Sequence, residues 1–373
     1  MNRAVQNKHS IFWCLCALIL FISCGYELPY RPQQFVAPRI SVPLTSRDMI
    51  RDFLGSNDYD FKFAFTRKAD QSIYVVDFSS VEITDTAVIP KVYRFKSDGM
   101  PDSPLFSPDG TLVTYFVRLS ASQQRAYVLK IGEGTVPIEI ASQGTDPHFW
   151  QDSTGRLFVV YSDKFQVNKN ELASITGFAT YIQEIDPARG ALIGNKKVLV
   201  DKPFNGGRSK NGNYLCTGYS DGAIYSLEDA TLYPINYIGS NAIQICNPSI
   251  SSDTLHQDWM LFLNFAGIQG LNYASGVDPL GSIGEHEYLI IADKNNQVQW
   301  YVKQPREHYG WQDPEWSNGG DFIAALAKIS NSIKDLTYDC YLIRRSDKAL
   351  LKMTSSIFKM DESATPSFWI GTN

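Results

Sequence analysis

The stretch SPLFSPDGTLVTYFV, residues 103–117, sets Pro, an aromatic residue, Ser, Asp and Gly directly before a hydrophobic run. A single copy would be an ordinary turn leading into a strand, whereas recurrence would make it the repeating unit of an architecture. It recurs. DPHFWQDSTG starts at Asp146, NGGRSKNG at Asn205, NPSISSD at Asn247, DPEWSNGG at Asp313 and TPSFW at Thr365. Aligned on Pro104, Pro147, Gly206, Pro248, Pro314 and Pro366, the copies are 43, 59, 42, 66 and 52 residues apart. Each interval has room for four short strands and their turns.

The segments behind these turns are also alike. TLVTYFV, RLFVVY, NYLCTGY, WMLFLNF and DFIAALA are apolar enough for strands buried on both faces, and none has a helical period. A third strand (AYVLKI, TYIQEI, AIYSL, EYLIIAD, CYLIRR) and a fourth (VPIEI, KKVLV, LYPINY, VQWYVK, ALLKM) come next. Asp109-Gly110, Asn211-Gly212 and Asn318-Gly319 supply residues that tolerate positive φ in the first hairpins. The apolar position before the Ser should pack between neighbouring sheets. The expected fold is all-β: a six-bladed β-propeller of four-stranded antiparallel blades.

The pattern resembles the TolB-like β-propeller family, whose first hairpins carry Pro-x-Trp/Phe-Ser-Pro-Asp-Gly. PLFSPDG matches nearly in full and PEWSNGG closely; the second and third copies are degraded, and NPSISSD has lost the aromatic residue. The resemblance covers about residues 60–373 and implies an architecture, since propellers host many unrelated functions.

The sixth copy accounts for ring closure. TPSFWIGTN stops after one short strand, while FKFAFTR, SIYVVDF and KVYRFK make three strands with no opening turn. Joined, they complete one blade, and no sheet edge is left at the seam. Two segments exceed the minimal repeat: KFQVNKNELASITGFA after Tyr161 and GIQGLNYASGVDPLGSIGE after Phe265. Both lengthen loops between second and third strands, as a binding rim or as tolerated surface insertions. TSRDMIRDFLG reads as a short helix capped by Thr45 or Ser46 and stopped by Gly55.

The start of the chain reads as an address. Arg3 and Lys8 precede IFWCLCALILFIS, thirteen uncharged residues, and Ser23 stands before Cys24. This pattern reads as a secretory signal over residues 1–23, too short for a comfortable membrane span. FISCG resembles a bacterial lipobox, with Phe21 in place of the usual Leu as the looser spirochaete lipoboxes tolerate, so Cys24 is the expected lipidation site. Ordinary cleavage or an uncleaved anchor is the alternative. The Pro-rich stretch over residues 24–45 would then be a tether, with 46–59 as helix and connector and 60–373 as propeller. The expected location is the periplasmic or cell-surface side of a bacterial membrane. Cys216, Cys246 and Cys340 sit in strand-like settings, as buried free thiols or with a Cys216–Cys246 bridge.

Composition excludes some functions. The 373 residues carry a formal charge of −5 and no Lys/Arg block, so nucleic acid is not an expected partner. No nucleophile elbow, zinc-protease helix or phosphate loop is present, and no catalytic or metal-ligating residue is assigned. GEHEY around His286 sets carboxylates beside an imidazole, but a strand would send Glu285 and Glu287 to the face opposite His286. DKNNQ from Asp293 falls where a hairpin is needed.

The candidate site is the channel mouth. Ser103, Asp146, Asn205, Asn247, Asp313 and Thr365 each precede the aligned Pro or Gly, one per blade. They would either converge on a ligand or accept hydrogen bonds from the local backbone, and the local role is the favoured one. Arg208, Tyr309 and Trp311 are expected to broaden the site. An axial cation such as calcium would fit the ring, though no cofactor is called for. The expected function is a membrane-tethered scaffold binding an envelope protein or peptide, or a glycan. The alternative is a hydrolase or lyase using axial carboxylates such as Asp146 and Asp313.

Overall fold

In the computed structural model, residues 42–55, 59–83, 87–120, 122–218, 222–235, 245–264, 272–281, 284–330, 337–353 and 364–372 are described, all within one compact unit spanning residues 34–373. The proposed signal, Cys24 and most of the proposed tether lie outside the described residues. Among the described residues, no helix is long and apolar enough to cross a membrane.

Six sheets succeed one another along the chain. Blade II is Met100–Phe106, Leu112–Arg118, Gln124–Lys130 and Ile138–Ala141, each strand antiparallel to the next. Blade III (Thr145–Gln151 to Ala191–Val200) and blade VI (Trp311–Trp316 to Ala349–Lys352) repeat this order. Second strands are the most enclosed: Leu112–Val117 and Phe322–Ala327 are buried without interruption. That is the consequence of apolar side chains on both faces of a strand sandwiched between blades.

Blade I is built from both ends of the chain. Ala364–Thr372 is its innermost strand and pairs antiparallel with Tyr59–Arg67, from Tyr59↔Thr372 to Thr66↔Ala364. Ser72–Ile83 and Ala87–Lys96 lie successively outward. Closure is decided by packing. Apolar clusters join I to II (Ile73 with Tyr115), II to III (Val128 with Val159), III to IV (Val167 with Leu215), IV to V (Ile224 with Phe262), V to VI (Leu261 with Ile323) and VI back to I (Leu342 with Phe63). The chain folds as a closed six-bladed β-propeller.

Several local expectations need correction. The helix α1, Leu44–Leu54, begins before Thr45, so Thr45 and Ser46 are inside it rather than capping it; Gly55, at φ +83°, does end it. Its Ile50 and Leu54 are buried in the cluster joining blades VI and I, and Arg344 lies over Phe53. Just before the helix, Val42–Pro43 pairs with Ala87 and Val88, adding a fifth strand to blade I within the stretch read as tether. In the blade VI hairpin the positive φ falls on Gly320 at +77°, one residue after Gly319, because the turn bond runs from Gly320 N to Ser317 O. Asp109 and Asn211 keep negative φ; their side chains instead accept from Ser107 and Ser209 hydroxyls, fixing the turn from outside.

Blade IV has three regular strands, Tyr214–Thr217, Ala223–Ser226 and Leu232–Pro234. In place of a regular inner strand it has an Arg208–Leu215 bridge, flanked by backbone bonds from Gly206 N to Cys216 O and Ser209 N to Tyr214 O. The insertion of blade III holds a one-turn helix α2, Lys169–Ser174, capped by the Asn168 side chain on Glu171 N. The described part of the blade V insertion goes elsewhere: Asn272–Tyr273 pairs parallel with Gln297–Val298 at the outer edge of the sheet. Asp293 does make a turn, its carboxylate accepting from the Asn295 and Gln297 amides. His286 lies in a turn at φ +54°, before the strand Tyr288–Ala292, so the strand alternation expected of GEHEY does not apply. Among the described residues no cluster could hold a metal ion. Among the described residues, Cys216, Cys246 and Cys340 form no disulfide, and Cys216 and Cys340 are fully enclosed.

Candidate functional site

The residue before each aligned Pro adopts an uncommon backbone. Ser103, Asp146, Asn247, Asp313 and Thr365 have φ between +44° and +50°, the left-handed region that side chains other than Gly seldom occupy. At each place the inner strand skips register against its neighbour: Asp102/Leu105, Cys246/Ser249 and Gln312/Glu315 are the flanking pairs in blades II, V and VI. These are bulges. The adjoining Pro has no N–H to contribute to the ladder, so the sheet tolerates the break, and the bulge re-aims the preceding side chain. Blade IV differs, with the positive φ on Gly207 at +79° rather than on Asn205.

All six of these positions line one cavity of about 270 Å³ at the end of the axis where the inner strands begin. These side chains make bonds other than the local backbone ones expected: Asn247 Nδ2 donates across blades to Asp313 Oδ1 at 2.5 Å, Thr365 Oγ1 accepts from Ser103 N of the next blade at 3.1 Å, and Asp146 Oδ2 accepts from its neighbour Thr145 Oγ1 at 3.1 Å. Asn205 Oδ1 accepts from Thr217 Oγ1 at 3.0 Å.

The cavity is rich in carboxylates. Asp102, Asp146, Asp313 and Glu315 line it, against the cations Lys68 and Arg118. Arg118 is held to Asp102 at 2.9 Å and lies over the Phe165 ring, which the blade III insertion brings to the wall together with Gln166. Burial, then the charge of Asp102, pushes the Asp146 carboxyl up to about 7 and Asp313 up to about 6. Burial also raises Glu315, whose Oε1 accepts from Ser249 Oγ at 2.5 Å. His148 stands 3.9 Å from Glu315 Oε2, its Nδ1 2.9 Å from the Asp146 carbonyl oxygen.

Three expected members are elsewhere. Arg208 is on the inner segment of blade IV beyond Asn205, and lines a second cavity that adjoins the first. Trp311 is wholly buried, edge-on to Tyr341 between blades V and VI, because its strand position points away from the axis. Tyr309 is 54% exposed and outside the lining of the cavity. Conversely, Asp102, Arg118, His148, Phe165 and Glu315 were missed. A strand alternation counted from the bulge would have found His148 and Glu315, each two residues beyond its left-handed Asp.

No protein-family profile and no curated protein matches the sequence. Solved structures are similar at the level of the fold. A proposed 6-phosphogluconolactonase from Bacteroides uniformis is 12% identical with a TM-score of 0.41, over 79% of this chain and 82% of that one. Its counterpart from Bacteroides fragilis is 11% identical with a TM-score of 0.40, over 84% and 98%. A puromycin hydrolase is 11% identical with a TM-score of 0.42, over 87% of this chain and 48% of the other.

Proposed function

We propose that the protein is an exported, lipid-anchored binding protein whose propeller takes a cationic side chain of a peptide or protein segment at its carboxylate-lined mouth. The observation that carries this reading is the convergence of Asp102, Asp146, Asp313 and Glu315 on one cavity of about 270 Å³. That volume suits one or two side chains rather than a folded domain. Arg118 is already paired with Asp102, which leaves Asp146, Asp313 and Glu315 with more negative charge than the nearby cations offset. A guanidinium or ammonium entering here would be attracted and would find acceptors at Asp313 and Asp146.

The test is binding of short labelled peptides at pH 8, where both aspartates are ionised. Arginine- or lysine-bearing peptides should bind, and Asp146→Asn/Asp313→Asn should weaken them by about tenfold or more, as loss of charge-assisted bonds does. Acidic peptides binding equally well would sink the reading.

A second reading, acid–base catalysis, is favoured by one feature: burial in the shared cavity pushes the Asp146 carboxyl up to about 7 and that of Asp313 up to about 6. Turnover of peptide or ester probes that collapses in Asp146→Asn would select it. The lipid anchor rests on the FISCG segment alone and has its own test. Cys24→Ala should move the protein from the membrane fraction to the soluble one, and unchanged partitioning would refute lipidation.

A further inference from the structure

The second axial cavity, which Glu315 also lines, holds a half-buried cation that makes no ion pair among the described residues. Arg208 occupies the place where the other inner strands carry Phe106, Phe149, Ile250, Trp316 and Phe368. Its guanidinium lies 3.8 Å over the Trp150 ring and Nε donates to Gly212 O at 2.8 Å. Among the described residues no carboxylate lies within ion-pairing range of it. Burial alone lowers its pKa to about 10.

The degraded repeat of blade IV is what makes room for this arrangement. A Cβ at Gly212 would stand 2.7 Å from the Trp150 ring and 2.9 Å from an Arg208 nitrogen; one at Gly207 would stand 2.7 Å from the His148 ring. So NGGRSKNG reads as a tailored seat for Arg208 rather than as decay. The cavity measures about 90 Å³, and Lys210 adds a second cation to its lining. His148 lines it too, its Nε2 buried, without a hydrogen-bond partner among the described residues and 3.9 Å from Glu315 Oε2. In the tautomer whose Nδ1 donates to the Asp146 carbonyl, His148 Nε2 is a hydrogen-bond acceptor.

We infer that this cavity is a binding site for a small oxyanion that also carries a hydroxyl, the chemistry shared by hydrogen phosphate and short 2-hydroxycarboxylates. The guanidinium fork answers the oxyanion and His148 Nε2 accepts a hydrogen bond from the hydroxyl. Arg208 has lost part of its hydration without gaining a counter-charge, and an anion bound beside it would offset that loss. The site adjoins the carboxylate mouth, since Leu105, His148 and Glu315 line both cavities, but Arg208, Trp150 and Lys210 line this one and not the mouth, so substitutions at Arg208 and Lys210 test it separately.

Isothermal titration of the full chain with inorganic phosphate, sulfate, glycolate and acetate, each against chloride at matched ionic strength, tests it. Phosphate or glycolate should bind saturably, and the winner names the source. Sulfate should trail phosphate, and acetate should trail glycolate, by about fivefold, the worth of one hydrogen bond. Arg208→Gln should weaken binding by about tenfold or more, while Arg208→Lys should retain part of it. Should Arg208→Gln fail to fold, Lys210→Gln leaves the Trp150 stack in place and should weaken binding about threefold. Heats no larger than chloride's, or binding undiminished in Arg208→Gln or Lys210→Gln, would overturn the site. Sulfate equal to phosphate, with acetate equal to glycolate, would overturn the hydroxyl requirement.

Discussion

Ser103 shows how one backbone angle turns a sheet residue into a site residue. At φ +47° before a proline it is strained, yet the same strain recurs at Asp146, Asn247, Asp313 and Thr365 around a single cavity. Ser103→Gly should fold as well as the parent, whereas Ser103→Val, β-branched in a left-handed position, should lose about 2 kcal/mol in chemical denaturation. Asp146 carries the titration. Its carboxyl is raised from 3.8 to about 7 in the folded state, so the native protein holds a proton that the unfolded chain has released. Its stabilising contribution is therefore complete below about pH 4 and is lost as pH rises through about 7. The melting temperature should fall across that window in the parent and fall less in Asp146→Asn; an unchanged slope would remove Asp146 as its source. Binding of a cationic peptide should run the other way, strengthening as Asp313 and then Asp146 ionise.

At the scale of the element, the closing strand matters most. Phe368 of Ala364–Thr372 is buried, stacks on Phe63 at 4.6 Å, and belongs to the cluster joining blades VI and I. Phe368→Ala should cost about 3–5 kcal/mol in denaturant unfolding. Deleting residues 365–373 exposes the edge of Tyr59–Arg67 and should abolish soluble folding; an unchanged melting profile would count against the closure. The strand also latches the first hairpin of blade II, with Trp369 Nε1 donating to Pro108 O at 2.8 Å and Ser367 to Pro104 O. A Cβ at Gly110 would stand 2.4 Å from the Trp369 ring, so Gly110→Ala should destabilise by about 2 kcal/mol or more. The blade hairpins were legible because turn chemistry is local: Ser107 N to Leu112 O, Ser209 N to Tyr214 O and Ser317 N to Phe322 O are one bond repeated. The helix start was not legible, since the described anchors of α1, Ile50 and Leu54, pack against the seam, a tertiary contact that local sequence does not encode.

The whole molecule is an axial passage with unlike ends: carboxylates where the inner strands begin and Arg208 with Lys210 where they finish, with Leu105, His148 and Glu315 lining both cavities. Sequence by itself determined the repeat, the number of blades and the sharing of one blade between the two ends. Those features are written in short-range turn residues and in strand-length apolar runs, and each blade needs a neighbour on either side to bury them. Sequence also named the ring of residues before each Pro, because one residue per repeat must occupy equivalent places. Only the tertiary structure decided which side chains share a cavity. Arg208 and Trp311 are near the ring in sequence, but one lies past the midpoint of its inner segment and the other points between blades. Asp102, Glu315 and Phe165, from blades II, VI and III, meet at the mouth because closing the ring brings distant segments to one axis. No spacing along the chain encodes that meeting, since it depends on where each bulge turns its strand.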